Sequence, residues 1–168
     1  NPQAGWLTAL IYALSAWFAS ARLDLADIDT FPEAFQSTFA VALREPTLGL
    51  WVLSVIAGLV FFTDTHSKLY RVLGGVTHAV AHLFAALALA WLANIFAVEV
   101  LGLSYASSAQ LLVTGGLTFL AGALVGGFII GLYLLVSVQV FGRHANEAFS
   151  SLRIQDYKQF LRLRIGTD

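Results

Sequence analysis

The chain has 168 residues, of which 58% are hydrophobic and only 11% are charged, and its net charge is −1. Soluble domains carry about a quarter charged residues, so the composition predicts an integral membrane protein in contact with a lipid bilayer, and the balanced charge excludes nucleic acid as an expected partner. With no cysteine, the chain offers no disulfide, zinc–thiolate site or thiol nucleophile.

Four apolar stretches predict four transmembrane helices. Their expected bounds are about 6–21, 48–62, 69–98 and 108–141. About twenty apolar residues suffice to cross a hydrocarbon core of roughly 30 Å, so the first two spans are short and the last two are long enough to tilt. The expected fold is an all-α integral membrane domain over residues 1–142.

The connection between the first two spans, residues 22–46, is acidic and contains an amphipathic segment. Thr30 is a suitable helix N-cap, and the apolar residues that follow it recur every four positions: Phe31, Phe35, Phe39 and Leu43. This spacing predicts a helix with one apolar face. We expect that helix either to lie in the membrane interface or to pack on the bundle.

Two histidines lie inside the third predicted span. His78 and His82 are four residues apart, so they share one face of the helix, about 14 to 20 Å from its start. Histidine at this depth is a functional candidate, as a metal ligand, proton relay or axial haem ligand. The alternative is that both are neutral and bond to polar groups of adjacent helices, for which the fourth span offers Thr114, Thr118, Ser137 and Gln139.

The sequence supplies few further ligands for a metal at this position. Glu99 is some seventeen residues beyond His82, near the opposite membrane surface. His78 and His82 are therefore the candidate metal ligands, beside the hydrogen-bonding alternative. The chain contains no recognisable set of catalytic residues and indicates no cofactor of its own.

Glycine interrupts the fourth span repeatedly. Residues 111–140 contain six glycines and no charge. Gly122 with Gly126, and Gly127 with Gly131, form small-xxx-small pairs, which allow a neighbouring helix to approach closely. We therefore predict that all four glycines pack against other helices.

The distribution of Lys and Arg predicts the orientation in the membrane. Lys68 and Arg71 lie in the second connection and five basic residues lie in the tail, whereas the third connection, residues 99–106, has none. The positive-inside rule then places both termini in the cytoplasm. The expected location is a bacterial inner membrane.

The tail, residues 143–168, differs from the rest of the chain. Residues 160–165 alternate apolar and polar side chains, as a strand covered on one face does, and a lone strand is not stable in water. The chain also begins at Asn1 without a methionine. We expect a segment of a longer protein, whose cytoplasmic tail contains short β or irregular structure and docks on a missing soluble domain.

Residues 144–165 read HANEAFSSLRIQDYKQFLRLRI, and this pattern resembles the C-terminal part of large calcineurin-like metallophosphoesterases of bacteria and plants. In that family the pattern follows a multi-spanning membrane region. The likeness covers about twenty residues of tail and extends generally to the preceding helices, including His78 to His82.

The resemblance implies a catalytic domain with a dinuclear metal centre before Asn1. This chain would then be the non-catalytic membrane anchor of a phosphoesterase, with a possible regulatory role, and His144 and Glu147 would be candidate contacts to the soluble domain. Asp64-Thr65-His66 looks like the family's first metal-binding motif, but the later motifs do not follow it, so we interpret it as a chance match.

Two alternatives to the anchor remain at this point. The chain could be a small transport, cofactor-binding or metal-binding membrane subunit that uses His78 and His82. It could also be a structural subunit of a larger membrane complex, for which the packing glycines are sufficient.

Overall fold

The computed structural model describes residues 2–63 and 67–144. The tail from residue 145 and the triplet at residues 64–66 lie outside the described residues, and so do the predictions for them. The described residues contain helices and no strand. The five α-helices are α1 (Pro2–Ser20), α2 (Phe31–Arg44), α3 (Pro46–Phe62), α4 (Lys68–Ile95) and α5 (Ser108–Phe141).

The helix ends follow local capping chemistry. Ser67 and Ser107 accept backbone N–H bonds at the starts of α4 and α5, which satisfies donors that a helix start leaves free. Pro46 begins α3, where its missing N–H costs nothing. Gly142, at φ +61°, ends α5 in the left-handed conformation that glycine adopts readily. These ends explain why α3 and α5 match the sequence prediction within two residues.

Two of the described helices are long and apolar enough to cross a membrane. One is α4 with its π-helical continuation, Phe96–Val100, and the other is α5. A third candidate arises if α2 and α3, which meet at an angle of 104°, count as one broken span. The apolar part of α1, Gly5–Ser20, is shorter than these candidates. The total of four transmembrane helices therefore stays a prediction.

The amphipathic helix that the sequence predicts is α2. Its N-terminal half packs on α4, where the rings of Phe35 and Phe84 stack with centroids 4.7 Å apart. Phe39 and Leu43, nearer its C-terminus, stay exposed. The angle between α2 and α3, together with the sides of α1 and α4, borders an open apolar cavity of about 500 Å³.

The structure buries several polar side chains in its interior and exposes many large apolar ones. Its largest fully buried side chains include Tyr12, Asn94 and Gln110, whereas Leu124 on α5 is 78% exposed and Phe128 is 70% exposed. Large exposed apolar surfaces mark contact with a membrane or a partner. The arrangement suits a bilayer, where apolar surface does not drive helices together.

The most extensive helix contact among the described residues is between α1 and α5. A Cβ on Gly122 would lie 2.7 Å from Tyr12 Cβ, and one on Gly126 would lie 2.5 Å from Thr8 Cβ, so both positions exclude a side chain. Nothing among the described residues lies within 4 Å of such an atom on Gly127 or Gly131. The first glycine pair therefore packs against α1, and the second faces away from the described helices.

The Gly126→Ala substitution is expected to destabilise the fold, because the added methyl group overlaps Thr8. Overpacking typically costs about 1–3 kcal/mol. The control is Gly116→Ala, where the space is open and alanine stabilises a helix by roughly 0.5–1 kcal/mol. Thermal unfolding in detergent, followed by circular dichroism, measures both. Equal shifts of the two midpoints would contradict the contact.

Candidate functional site in the bundle core

His78 and His82 lie in the core of the bundle, 2% and 3% exposed. Their Nε2 atoms are 3.0 Å apart, within hydrogen-bonding distance. The Nδ1 atom of His82 lies 2.9 Å from the Tyr12 hydroxyl on α1. The three side chains therefore form one buried hydrogen-bonded chain that links α1 to α4.

Whichever way the hydrogen bonds of the Tyr12–His82–His78 chain run, one ring nitrogen at its end has no partner. A neutral histidine carries one N–H donor and one acceptor nitrogen. If the Tyr12 hydroxyl donates to His82, then His82 donates to His78, and His78 Nδ1 is left as a free donor. If the bonds run in the opposite direction, the same atom is a free acceptor. In either case His78 Nδ1 is buried and has no hydrogen-bond partner within the described residues.

An aromatic cluster joins His78 to one end of the bundle. The ring of Tyr133 on α5 stacks on His78, with centroids 4.2 Å apart and planes 6° from parallel. The Tyr133 hydroxyl lies 3.2 Å from Thr63 Oγ1 and 3.2 Å from His144 Nε2. Polar contacts therefore run from Thr63, at the end of α3, to His144, three residues beyond the end of α5.

His144 is buried at this end of the bundle. Its ring is nearly parallel to that of Phe62, with centroids 6.4 Å apart. The structure thus places this candidate domain contact against α3 and α5. Glu147 lies outside the described residues, so a contact of the two residues with a soluble domain stays a prediction.

A separate polar group lies at the opposite end of the bundle. Asn94 on α4 donates to the Ser20 hydroxyl at 2.8 Å, and its Oδ1 accepts from Gln110 on α5. Tyr105 lies in the loop between α4 and α5. Burial raises the pKa of its phenol, and the Asp24 carboxylate raises it further. Asn94, Ser20 and Gln110 therefore join α1, α4 and α5 where the connecting loops meet.

Three of the polar residues of α5 that sequence reasoning offered to the histidines, Thr114, Thr118 and Ser137, bond elsewhere, and the fourth, Gln139, is exposed. Thr118 donates to the Thr114 carbonyl at 2.7 Å, and the Ser137 hydroxyl lies 2.6 Å from that of Tyr70. The partner that sequence reasoning missed is Tyr12. Its position gave no local signal, because it is seventy residues from His82.

A cavity of about 360 Å³ lies beside the histidine pair. It is bounded by α1, α3, α4 and one residue of α5, Ile130, and both histidines belong to its wall. Its other lining residues are mainly apolar. The site therefore combines an apolar cavity with a small buried polar group, which is the usual composition of a small-molecule site.

A metal bound by His78 and His82 stays a prediction. Across residues 2–63 and 67–144, no three His, Asp or Glu side chains are grouped to hold a metal ion. The pair also uses one nitrogen of each ring in the bond between them. Glu99 lies beyond the end of α4, in the π-helical segment.

Comparison of the chain with known protein families, with curated proteins and with solved structures gives no match.

The Tyr12→Phe substitution tests the buried chain, because it keeps the ring against Gly122 and removes only the hydroxyl. It leaves His82 Nδ1 without a partner, which is expected to cost about 1–3 kcal/mol of unfolding free energy. Chemical denaturation in detergent measures the loss. Tyr105→Phe removes a hydroxyl from a partly exposed loop and is expected to stay within about 0.5 kcal/mol of the parent. A similar loss in both variants would contradict the buried bond.

Proposed function

We propose that this chain is the membrane domain of a longer calcineurin-like metallophosphoesterase, with four spans and both termini in the cytoplasm. It anchors and regulates a catalytic domain with a dinuclear metal centre, on which its cytoplasmic tail docks. The anchor itself is not catalytic. The observation that carries the proposal is the phosphoesterase-like pattern of residues 144–165, which begins at a residue packed into the helical bundle.

The end of α5 supports this role because it leaves the bundle in a defined way. The Gly142 N–H donates to the Val138 carbonyl, and the Arg143 N–H donates to the Ser137 carbonyl. His144 then turns back into the bundle with a left-handed φ of 59°. A soluble domain joined to the tail would be held close to the membrane domain, because the tail starts from a buried residue.

The lengths of α1 and α3 support four spans. At 1.5 Å per residue, their 19 and 17 residues extend about 28 and 25 Å, slightly less than a hydrocarbon core of roughly 30 Å. Small mismatches of this size cost little. Both helices pack on the two longer candidates, α1 along α5 and α3 along α4.

The charged residues support the proposed orientation. Lys68, Arg71 and Arg143 lie at the end of the bundle where α4 begins and α5 ends, and positive charges favour the cytoplasmic side. Arg22, which lies at the other end, is within 3.8 Å of the Glu45 carboxylate and bonds to the Thr47 hydroxyl. An anchored catalytic domain on the cytoplasmic side would have access to lipid-linked or membrane-proximal phosphoesters.

The proposal predicts what the gene encodes. Sequencing upstream of the codon for Asn1 is expected to show, in the same frame, the paired Asp, Asn and His motifs of a dinuclear phosphoesterase. The full-length protein is then expected to sediment with membranes and to hydrolyse a phosphodiester only when a divalent metal is supplied. A start codon immediately before Asn1, or a metal-independent full-length protein, would refute the proposal.

The contact between tail and catalytic domain has its own test. His144→Ala with Glu147→Ala in the full-length protein is expected to weaken domain docking, which limited proteolysis measures as faster cleavage near the tail. The single variant Glu147→Ala separates this effect from loss of the packing of His144 on Phe62. Unchanged proteolysis and activity in the double variant would exclude the contact.

A further inference from the structure

Three basic residues lie at one end of the described bundle, where α4 begins and α5 ends. Lys68 is the first residue of α4, Arg71 lies one turn farther along, and Arg143 follows the end of α5. The Tyr70 hydroxyl, 2.6 Å from that of Ser137, joins the beginning of α4 to the end of α5. Since both helices are long and apolar enough to cross a membrane, the end that they share lies at a surface of the bilayer.

Contacts with α3 fix the position of the Arg71 guanidinium. Its Nε donates to the Val60 carbonyl at 3.2 Å, and its central carbon lies 5.3 Å from the centre of the Phe61 ring. Lys68 is exposed, and no carboxylate of the described residues lies within 4 Å of its ammonium group. Lys68 and Arg71 are three residues apart, so they are neighbours on the surface of α4. A cation that is already held in place loses little side-chain freedom when it binds an anion.

Exposed apolar side chains lie beside these two cations. Phe61 packs on Arg71 and is 71% exposed. Leu69, which follows Lys68, is also 71% exposed, and Val72, which follows Arg71, is 50% exposed. Because exposed apolar side chains at a membrane surface contact lipid acyl chains, the cations border a surface that suits the apolar part of a lipid.

Charge distinguishes this end of the bundle from the other one. At the other end, Arg22 lies 3.8 Å from the Glu45 carboxylate, which offsets its charge. At the basic end, residues 61–72 and 141–144 contain three cations and one acid, Asp64, so their net charge is +2. Electrostatic complementarity therefore favours an anionic partner at the basic end.

We propose that Lys68 and Arg71 bind the phosphate of an anionic phospholipid, whose acyl chains cover Phe61 and Val72. Phosphate oxygens accept strong hydrogen bonds from ammonium and guanidinium groups, and basic residues at a membrane surface attract anionic headgroups. A soluble phosphate or an acidic protein segment would supply the charge but would leave the apolar side chains uncovered. The site does not depend on the phosphoesterase proposal, because it uses only residues of the described bundle.

Native mass spectrometry of the purified chain, released from a neutral detergent, measures lipid binding directly. Dioleoylphosphatidylglycerol is expected to bind roughly thirtyfold more tightly than dioleoylphosphatidylcholine, which has the same acyl chains and no net charge. A higher concentration of ammonium acetate should weaken binding of the anionic lipid, because salt screens exposed charges. Equal affinities for the two lipids would show coverage of apolar surface alone and would overturn the proposal.

Single charge changes locate the site. Lys68→Gln is expected to weaken binding of phosphatidylglycerol about fivefold, and Lys68→Gln with Arg71→Gln roughly thirtyfold, whereas Lys68→Arg should retain the affinity. The matched control Arg44→Gln removes an exposed cation at the other end of the bundle and should leave the affinity unchanged. Unchanged affinity in Lys68→Gln, or an equal loss in Arg44→Gln, would overturn the site even if the double variant fails to fold.

Two soluble competitors identify the occupant. Glycerol 3-phosphate carries the phosphate without acyl chains, and tetraglutamate carries negative charge without a phosphate. Neither is expected to displace phosphatidylglycerol when added in large molar excess. Displacement by glycerol 3-phosphate would indicate a site for soluble phosphates, and displacement by tetraglutamate would indicate a docking site for an acidic protein segment. Either result would overturn the assignment to a phospholipid.

Discussion

The rest of the structure depends on the close approach of α1 to α5 at Gly122. Because this residue has no side chain, Tyr12 lies directly against α5, with its Cβ 2.7 Å and its ring 2.9 Å from the position of an added Cβ. The approach places the Tyr12 hydroxyl within 2.9 Å of His82 on α4. The absence of a side chain at Gly122 therefore allows α1 to contact both α5 and α4 at Tyr12. Gly126 extends the contact by one turn, where Thr8 occupies the space that a side chain would need.

The interior of the bundle is held by groups of polar contacts rather than by a large apolar core. Asn94 and its partners join three helices at one end, and the Tyr12–His82–His78 chain lies in the middle. At the other end, Tyr133 connects Thr63 of α3 with His144 beyond α5. In lipid, packing and interhelical hydrogen bonds replace the hydrophobic effect as the force between helices. The same arrangement places the polar and titratable side chains of these three groups inside the bundle.

The histidine group in the middle of the bundle and the Tyr133 group at its end are in contact with each other. Phe62 lines the cavity beside the histidine pair and also stacks on His144. Tyr133 stacks on His78 and bonds to His144. The residue that leads into the tail is therefore packed against the same side chains that border the cavity. The aromatic contacts of Phe62 and Tyr133 therefore join the wall of the cavity to His144, the last described residue.

Local pattern was sufficient to predict several features of this protein. Apolar length indicated the helices, and capping residues explain why α3 and α5 match their expected bounds. The period of an α-helix put His78 and His82 on one face, and the spacing of phenylalanines predicted α2. These features depend on residues within a few turns of each other, so the sequence alone determined them.

Only the tertiary structure decided which groups meet. Both glycine pairs of α5 have the same spacing, yet Gly122 and Gly126 contact α1 while Gly127 and Gly131 face away. Tyr12 bonds to a histidine seventy residues away, and His144 turns back into the bundle. Helical periodicity defines the faces of each helix, but the choice of neighbour depends on how all the helices pack together, and no local pattern contains that information.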